Sequence, residues 1–233
     1  MKWLAGIALV IWATWALTDT THTLRWKLTI EVETPQGISS GASVLESSFF
    51  EQSGVVRGAS SKLLGQAIFV DLGGGNHIIA ALVHGERAQS YDAIAALPVT
   101  AITGAGWGWS AYQELSRRKG SLTGNAELKP PLIPTLVYFL NLNDPRSAQV
   151  VDPFDGSFET VIGPGYRFNR ATVEIVPTSW SPFSKNGLYG EAVTRGLETR
   201  LPWLKVIKGN LSGASGCNRN TELCLDIGHF LRK

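Results

Sequence analysis

The chain has 233 residues, with 21 Lys and Arg against 19 Asp and Glu for a formal net charge of +2. No stretch concentrates Lys and Arg enough to suggest a nucleic-acid footprint, so nucleic acid is set aside as a partner. Charged residues are 17% of the chain beside ordinary apolar content, which excludes a disordered polypeptide.

The first element follows Met1 and Lys2, where the uncharged run WLAGIALVIWATWALT ends only at Asp19. Its apolar core, residues 3–17, is at the upper limit of a signal-peptide hydrophobic region and falls short of the ~17–25 residues of a spanning helix. Flanks decide between the two. A cleavable signal wants small residues after the run, and here Trp15 and Leu17 interrupt Ala13, Thr14 and Ala16. Trp3 and Trp15 also lie near the two ends, where indole rings favour the bilayer interface. The expectation is an uncleaved signal-anchor over residues 1–20. Residues 21–233 then lie outside the cytoplasm, on a bacterial inner membrane in the periplasm, and cleavage to a secreted or periplasmic form is the alternative.

After the anchor, LRWKLTIEVET alternates Leu28, Ile30 and Val32 with Thr29, Glu31 and Glu33, which predicts a half-buried strand. Pro35 to Gly37 form a turn, and SGASVLESSFF returns as a second strand. A stronger hairpin pairs QAIFVDL with NHIIAALV across Gly73, Gly74 and Gly75, which supply the positive-φ positions of a tight reversal. Residues 89–97 have weak helical character ahead of PVTAI. A clearer helix begins near Ser110, which with Gln113 forms a capping box; Arg117, Arg118 and Lys119 complement its C-terminal dipole and Gly120 lies just beyond. Pro130, Pro131 and Pro134 prevent continuation. TLVYFL and ATVEIVP read as strands, the latter with Val173 and Ile175 on one face, and VTRGLETRLPWL as a short helix ending before Pro202, with Leu197, Leu201 and Trp203 in the core. The fold class is α+β, mostly antiparallel β, in a single globular domain after the N-terminal helix.

Chemistry-bearing motifs are weaker. Gly37 to Gly41 formally match G-x-S-x-G, but in a strand-turn-strand setting where a nucleophile elbow needs strand, turn and helix. Gly104, Gly106 and Gly108 follow a possible strand and precede a helix, but Trp109 occupies the third glycine position of a dinucleotide loop. His77 and His84, seven apart on one strand, point to opposite faces and are not co-ligands; with His22 and His229 they read as solvated or core-edge residues. Asp144, Asp152 and Asp155 fall in LNDPRSAQVVDPFDG, where Asp before Pro initiates turns. With His84 they remain weak candidates for a polar site; no metal and no cofactor is expected. In an oxidising compartment Cys217 and Cys224 form a disulfide across the polar NRNTEL.

The succession LNDP (Leu142 to Pro145), VDP (Val151 to Pro153), GPG (Gly163 to Gly165), ATVEIV and VTRGLETRLPWL resembles that of a group of uncharacterised bacterial proteins with one N-terminal hydrophobic segment. The resemblance implies an envelope location and no catalytic residue. Two functions are expected to compete: a membrane-tethered module that binds another envelope protein, and an exported hydrolase using carboxylates or an assembled His site.

Overall fold

The computed structural model describes residues 21–52, 58–85, 92–178, 190–207, 216–218, 223–225 and 227–232. The hydrophobic run, with Trp3 and Trp15, lies outside the described residues. Among those described, no helix is long and apolar enough to cross a membrane.

The scaffold is a long antiparallel hairpin, β1 (Thr21–Thr34) and β2 (Gly37–Gln52), in register from Thr34 opposite Gly37 to Thr21 opposite Phe50. Alternation dictates its two faces. Leu24, Trp26, Leu28, Ile30 and Val32 are buried on one, while Arg25, Lys27, Glu31 and Glu33 lie on the other. Opposite that bulky row β2 offers Ser47, Ser43 and Gly41, small residues that leave room for a second layer. Trp26 Nε1 donates to Ser47 Oγ at 2.9 Å and Ser43 Oγ donates to the Gln66 carbonyl at 2.8 Å, so the hydroxyls brought inside are satisfied.

Next come β3 (Gly58–Gln66), β4 (Ile68–Gly73) and β5 (Asn76–Ala80), with only Ala67 between β3 and β4. The chain passes there from one sheet into the other. Later strands are β6 (Asn125–Glu127), β7 (Leu136–Phe139), β8 (Ala148–Val151), β9 (Arg167–Val176), β10 (Gly216–Asn218), β11 (Leu223–Leu225) and β12 (Leu231–Arg232). The first sheet has the order β12-β3-β2-β1-β9-β6, the second β4-β5-β7-β8, and β10 pairs β11 alone. Every pairing is antiparallel. The C-terminal segment ties the two sheets along one side, with Ala67 N–H donating to the Phe230 carbonyl at 2.8 Å and Leu82 N–H to the His229 carbonyl at 2.7 Å.

Both expected hairpins and the β-rich class are present. So is the alternation of β9, which pairs with β1, and Leu197, Leu201 and Trp203 are buried. The helices differ from expectation. Helix α1 (Asp92–Thr103) does not stop before PVTAI but runs through Pro98. Ala93 to Val99 are buried on all sides, so packing offsets the missing proline N–H. Helix α2 (Trp109–Arg117) is capped by Gly108 with no side-chain cap bond, and Ser110 is its second residue, not its cap. Its C-terminal end agrees: Arg117 and Arg118 both bond Glu114, whose carboxyl they lower to about 2. After α3 (Ser157–Val161), the segment expected to be helical up to Pro202 forms only a 3-10 turn, Leu197–Thr199, and α4 (Trp203–Ile207) starts beyond the proline.

The main core fills the space between the sheets, from Trp26, Leu28, Ile30 and Val32 to Ile78, Ile79, Phe139 and Phe230. A second cluster, Leu24, Phe49, Ala96, Val99, Tyr112 and Leu115, packs α1 and α2 over the end of the hairpin where β1 begins.

Candidate functional site

Each aspartate of the candidate polar site serves its own turn. Asp144 Oδ1 accepts from Arg146 N–H at 2.9 Å, Asp152 Oδ1 from Phe154 N–H at 2.7 Å, and Asp155 Oδ1 from Ser157 N–H at 2.8 Å. The Arg146 backbone and guanidinium lower the Asp144 pKa, and the Ser157 hydroxyl and amide lower that of Asp155. Asp144 and Asp155 are therefore held ionised by groups of their own turns.

All four histidines are buried, where the sequence suggested solvated or core-edge positions. His77 is sandwiched between Phe69 and Tyr138, at ring separations of 5.6 and 5.1 Å. Its Nε2 accepts from Phe139 N–H at 3.3 Å, which leaves Nδ1–H to face the Gly75 carbonyl at 3.4 Å. Desolvation lowers its pKa, against weaker support from Gly75 and Asp71. His84 donates Nε2–H to the Leu132 carbonyl at 2.9 Å, its Nδ1 is buried with no hydrogen-bond partner among the described residues, and Trp107 lies 5.8 Å away. Burial lowers its pKa also. No three His, Cys, Asp or Glu residues converge on a metal-sized position among the described residues.

The glycine motifs have backbone roles. Ser39 lies on β2 opposite Val32, not on a strand-to-helix turn. Gly104 follows helix α1, not a strand, and ends it with φ 75°.

Among the described residues, two concavities stand out. The first, of about 350 Å³, lies where β3 ends and is lined by Leu64, Gly65 and Gln66, by Val193, Thr194, Arg195 and Glu198, and by Leu231 and Arg232. Its walls are tied to the scaffold: Gln66 Oε1 accepts from Leu197 N–H at 2.9 Å, Val44 N–H donates to Thr194 Oγ1 at 2.7 Å, and Thr194 N–H donates back to the Val44 carbonyl at 3.0 Å. A Cβ on Gly65 would stand 2.4 Å from Leu45 Cδ2, so only glycine lets β3 turn this closely over β2. Arg195 has no ion-pair partner among the described residues. The groove thus offers a slot with two cations, Arg195 and Arg232, and one carboxylate, Glu198, in its lining.

No protein-family model, curated protein or solved structure matches the chain. The site's own chemistry carries the functional reading.

The second concavity is shallower and larger, about 680 Å³, and lies at the root of β1 among His22, Glu51, Trp109, Tyr112, Gln113, Ser116 and Lys119. His22 Nε2 meets Ser116 Oγ at 3.0 Å, and the Tyr112 ring lies 5.6 Å from His22 and 5.3 Å from Trp109.

The sequence reading did not find the groove. Its lining comes from segments far apart in the chain, and although Val193 to Glu198 belong to the VTRGLETRLPWL segment, nothing in that segment marks a groove; only the fold brings Arg195 beside Gln66. At the β1 root, Trp109 and Lys119 were visible only as a packing residue and a helix-dipole complement. The disulfide expectation concerns β10 and β11, whose register places Cys217 directly opposite Cys224; their side chains lie outside the described residues.

Proposed function

We propose that this chain is a membrane-tethered binding module of the bacterial envelope, anchored by residues 3–17 with residues 21–233 in the periplasm. Its groove at the end of β3 takes a carboxylate-bearing segment of another envelope protein. The observation that carries this reading is the groove itself. Gln66 and Thr194 hold its walls, a preorganisation that lowers the cost of binding, while Arg195, exposed and without an ion-pair partner among the described residues, is placed to meet a ligand. The carboxylates nearest to catalytic candidacy support it too, since Asp144, Asp152 and Asp155 are engaged by their own turns.

Purification of the full chain in mild detergent tests this. A stoichiometric protein partner is expected with the native chain and at least a tenfold loss of it with Arg195→Glu. A partner retained undiminished by that variant would reject the groove.

One observation favours a second reading, an exported hydrolase. His84 keeps an unpartnered buried Nδ1 beside Trp107, the kind of nitrogen a general base requires. The combined change Asp144→Asn, Asp152→Asn and His84→Phe discriminates. If the chain folds normally yet cells behave as though it were deleted, the hydrolase reading replaces the binding one.

A further inference from the structure

The β1 root is where the described residues begin, and residue spacing limits what it can face. Only residues 18–20 separate the end of the hydrophobic run at Leu17 from Thr21, the first residue of β1. That gap spans about 14 Å even when fully extended. His22 follows at once, and its bond to Ser116 Oγ fixes α2 beside it. The exposed side of α2 is therefore held within a small domain's radius of the membrane whenever the run is inserted.

That side is built for such a neighbour. Trp109, half-buried, stacks on Tyr112, which in turn lies against His22; Gln113 and Ser116 continue the same stripe at helical spacing, and Lys119, just past the helix end with φ 54°, lines the same cleft. Indole rings prefer the headgroup boundary, and a lysine can lay its stem along apolar surface with its ammonium at the phosphates. Glu51 is the carboxylate facing the same cleft, so the net field is small and the attraction is chiefly amphipathic. Ile38, 64% exposed, stands opposite Glu33 at the other tip of the hairpin, about 36 Å from His22 along the strand.

We infer that the α2 residues Trp109 and Gln113, with Lys119 just beyond the helix, rest in the phospholipid headgroup layer, so that the domain lies against its own membrane with the hairpin tip pointing away. This inference rests on the tether reading above.

The full chain, reconstituted in vesicles of phosphatidylethanolamine and phosphatidylglycerol, tests it with a diazirine amino acid placed at exposed Gln113 or at Ile38. Mass spectrometry after illumination is expected to find lipid adducts at position 113 at least tenfold above those at 38. Equal yields at the two positions, or none at 113, would overturn the orientation. Carbonate washing separates this failure from that of the tether. A chain that stays in the vesicles without an adduct at 113 defeats this inference alone, whereas a chain released by carbonate defeats the tether and the orientation together.

Discussion

A Cβ on Gly41 would lie 2.3 Å from the Phe69 carbonyl oxygen, so at this point β4 packs directly on the β2 backbone. Gly41→Ala is expected to force the two strands apart and cost about 1–3 kcal/mol, read as a lowered thermal midpoint; an unchanged midpoint would show that the approach is not needed. The same glycine closes the formal G-x-S-x-G match, and its tight packing, not a nucleophile, accounts for it. Burial also makes His22, His77 and His84 a pH-sensitive set. Desolvation lowers the pKa of His22, His77 and His84, so the unfolded chain binds protons first as pH falls through about 6.5. Above that pH these groups leave stability flat. Below it, each removes up to about 1.4 kcal/mol per pH unit until its folded form titrates. Urea midpoints at pH 7.5 and 5.5 check this, with the lower midpoint expected at pH 5.5. None of this was visible in the sequence, where a histidine at a strand end looks the same whether it faces water or Tyr138.

Among elements, legibility followed periodicity. The two hairpins were readable because their strands bury one face, and alternation records that directly. Helix α1 was blurred for the opposite reason: Ala93 to Val99 are buried all round, so no polar stripe marks its period and Pro98 looked like its end. Strand β3, GASSKLLGQ, has little strand propensity, and pairing with β2 and β12 makes it one. The end of α2 shows an element constraining a neighbour. Gly120 has φ 75° and a Cβ there would sit 3.0 Å from His22 Nδ1. Gly120→Ala should cost about 1 kcal/mol through backbone strain alone and displace the imidazole from Ser116, seen as a shifted His22 NMR resonance. A resonance that stays in place would argue against that coupling. At β10 and β11, the register between Cys217 and Cys224 is compatible with a bridge. Alkylation of denatured, unreduced exported protein should find neither thiol free; two free thiols would reject the disulfide.

At the scale of the whole molecule, sheet order explains why the groove escaped notice. It forms because β3 leaves the first sheet at Ala67 while the segment around Thr194 lies along β2 and the C-terminal strand closes the side. Loop closure over more than a hundred residues brings Arg195 to Gln66, and no local pattern encodes that. If the hydrophobic run anchors the chain as proposed, the β1 root lies beside the membrane and the groove several residues farther along the sheet. Intact mass of membrane-extracted protein should correspond to Met1 to Lys233, or lack only the initiator Met; a mass beginning after residue 17 would turn the tether into a cleaved signal. The binding claim itself is tested most directly by a photo-crosslinking amino acid at position 195 of the full chain in living cells. The account predicts one discrete protein adduct that is absent when the crosslinker is moved to position 38. No adduct from 195, or the same adducts from both positions, would contradict it.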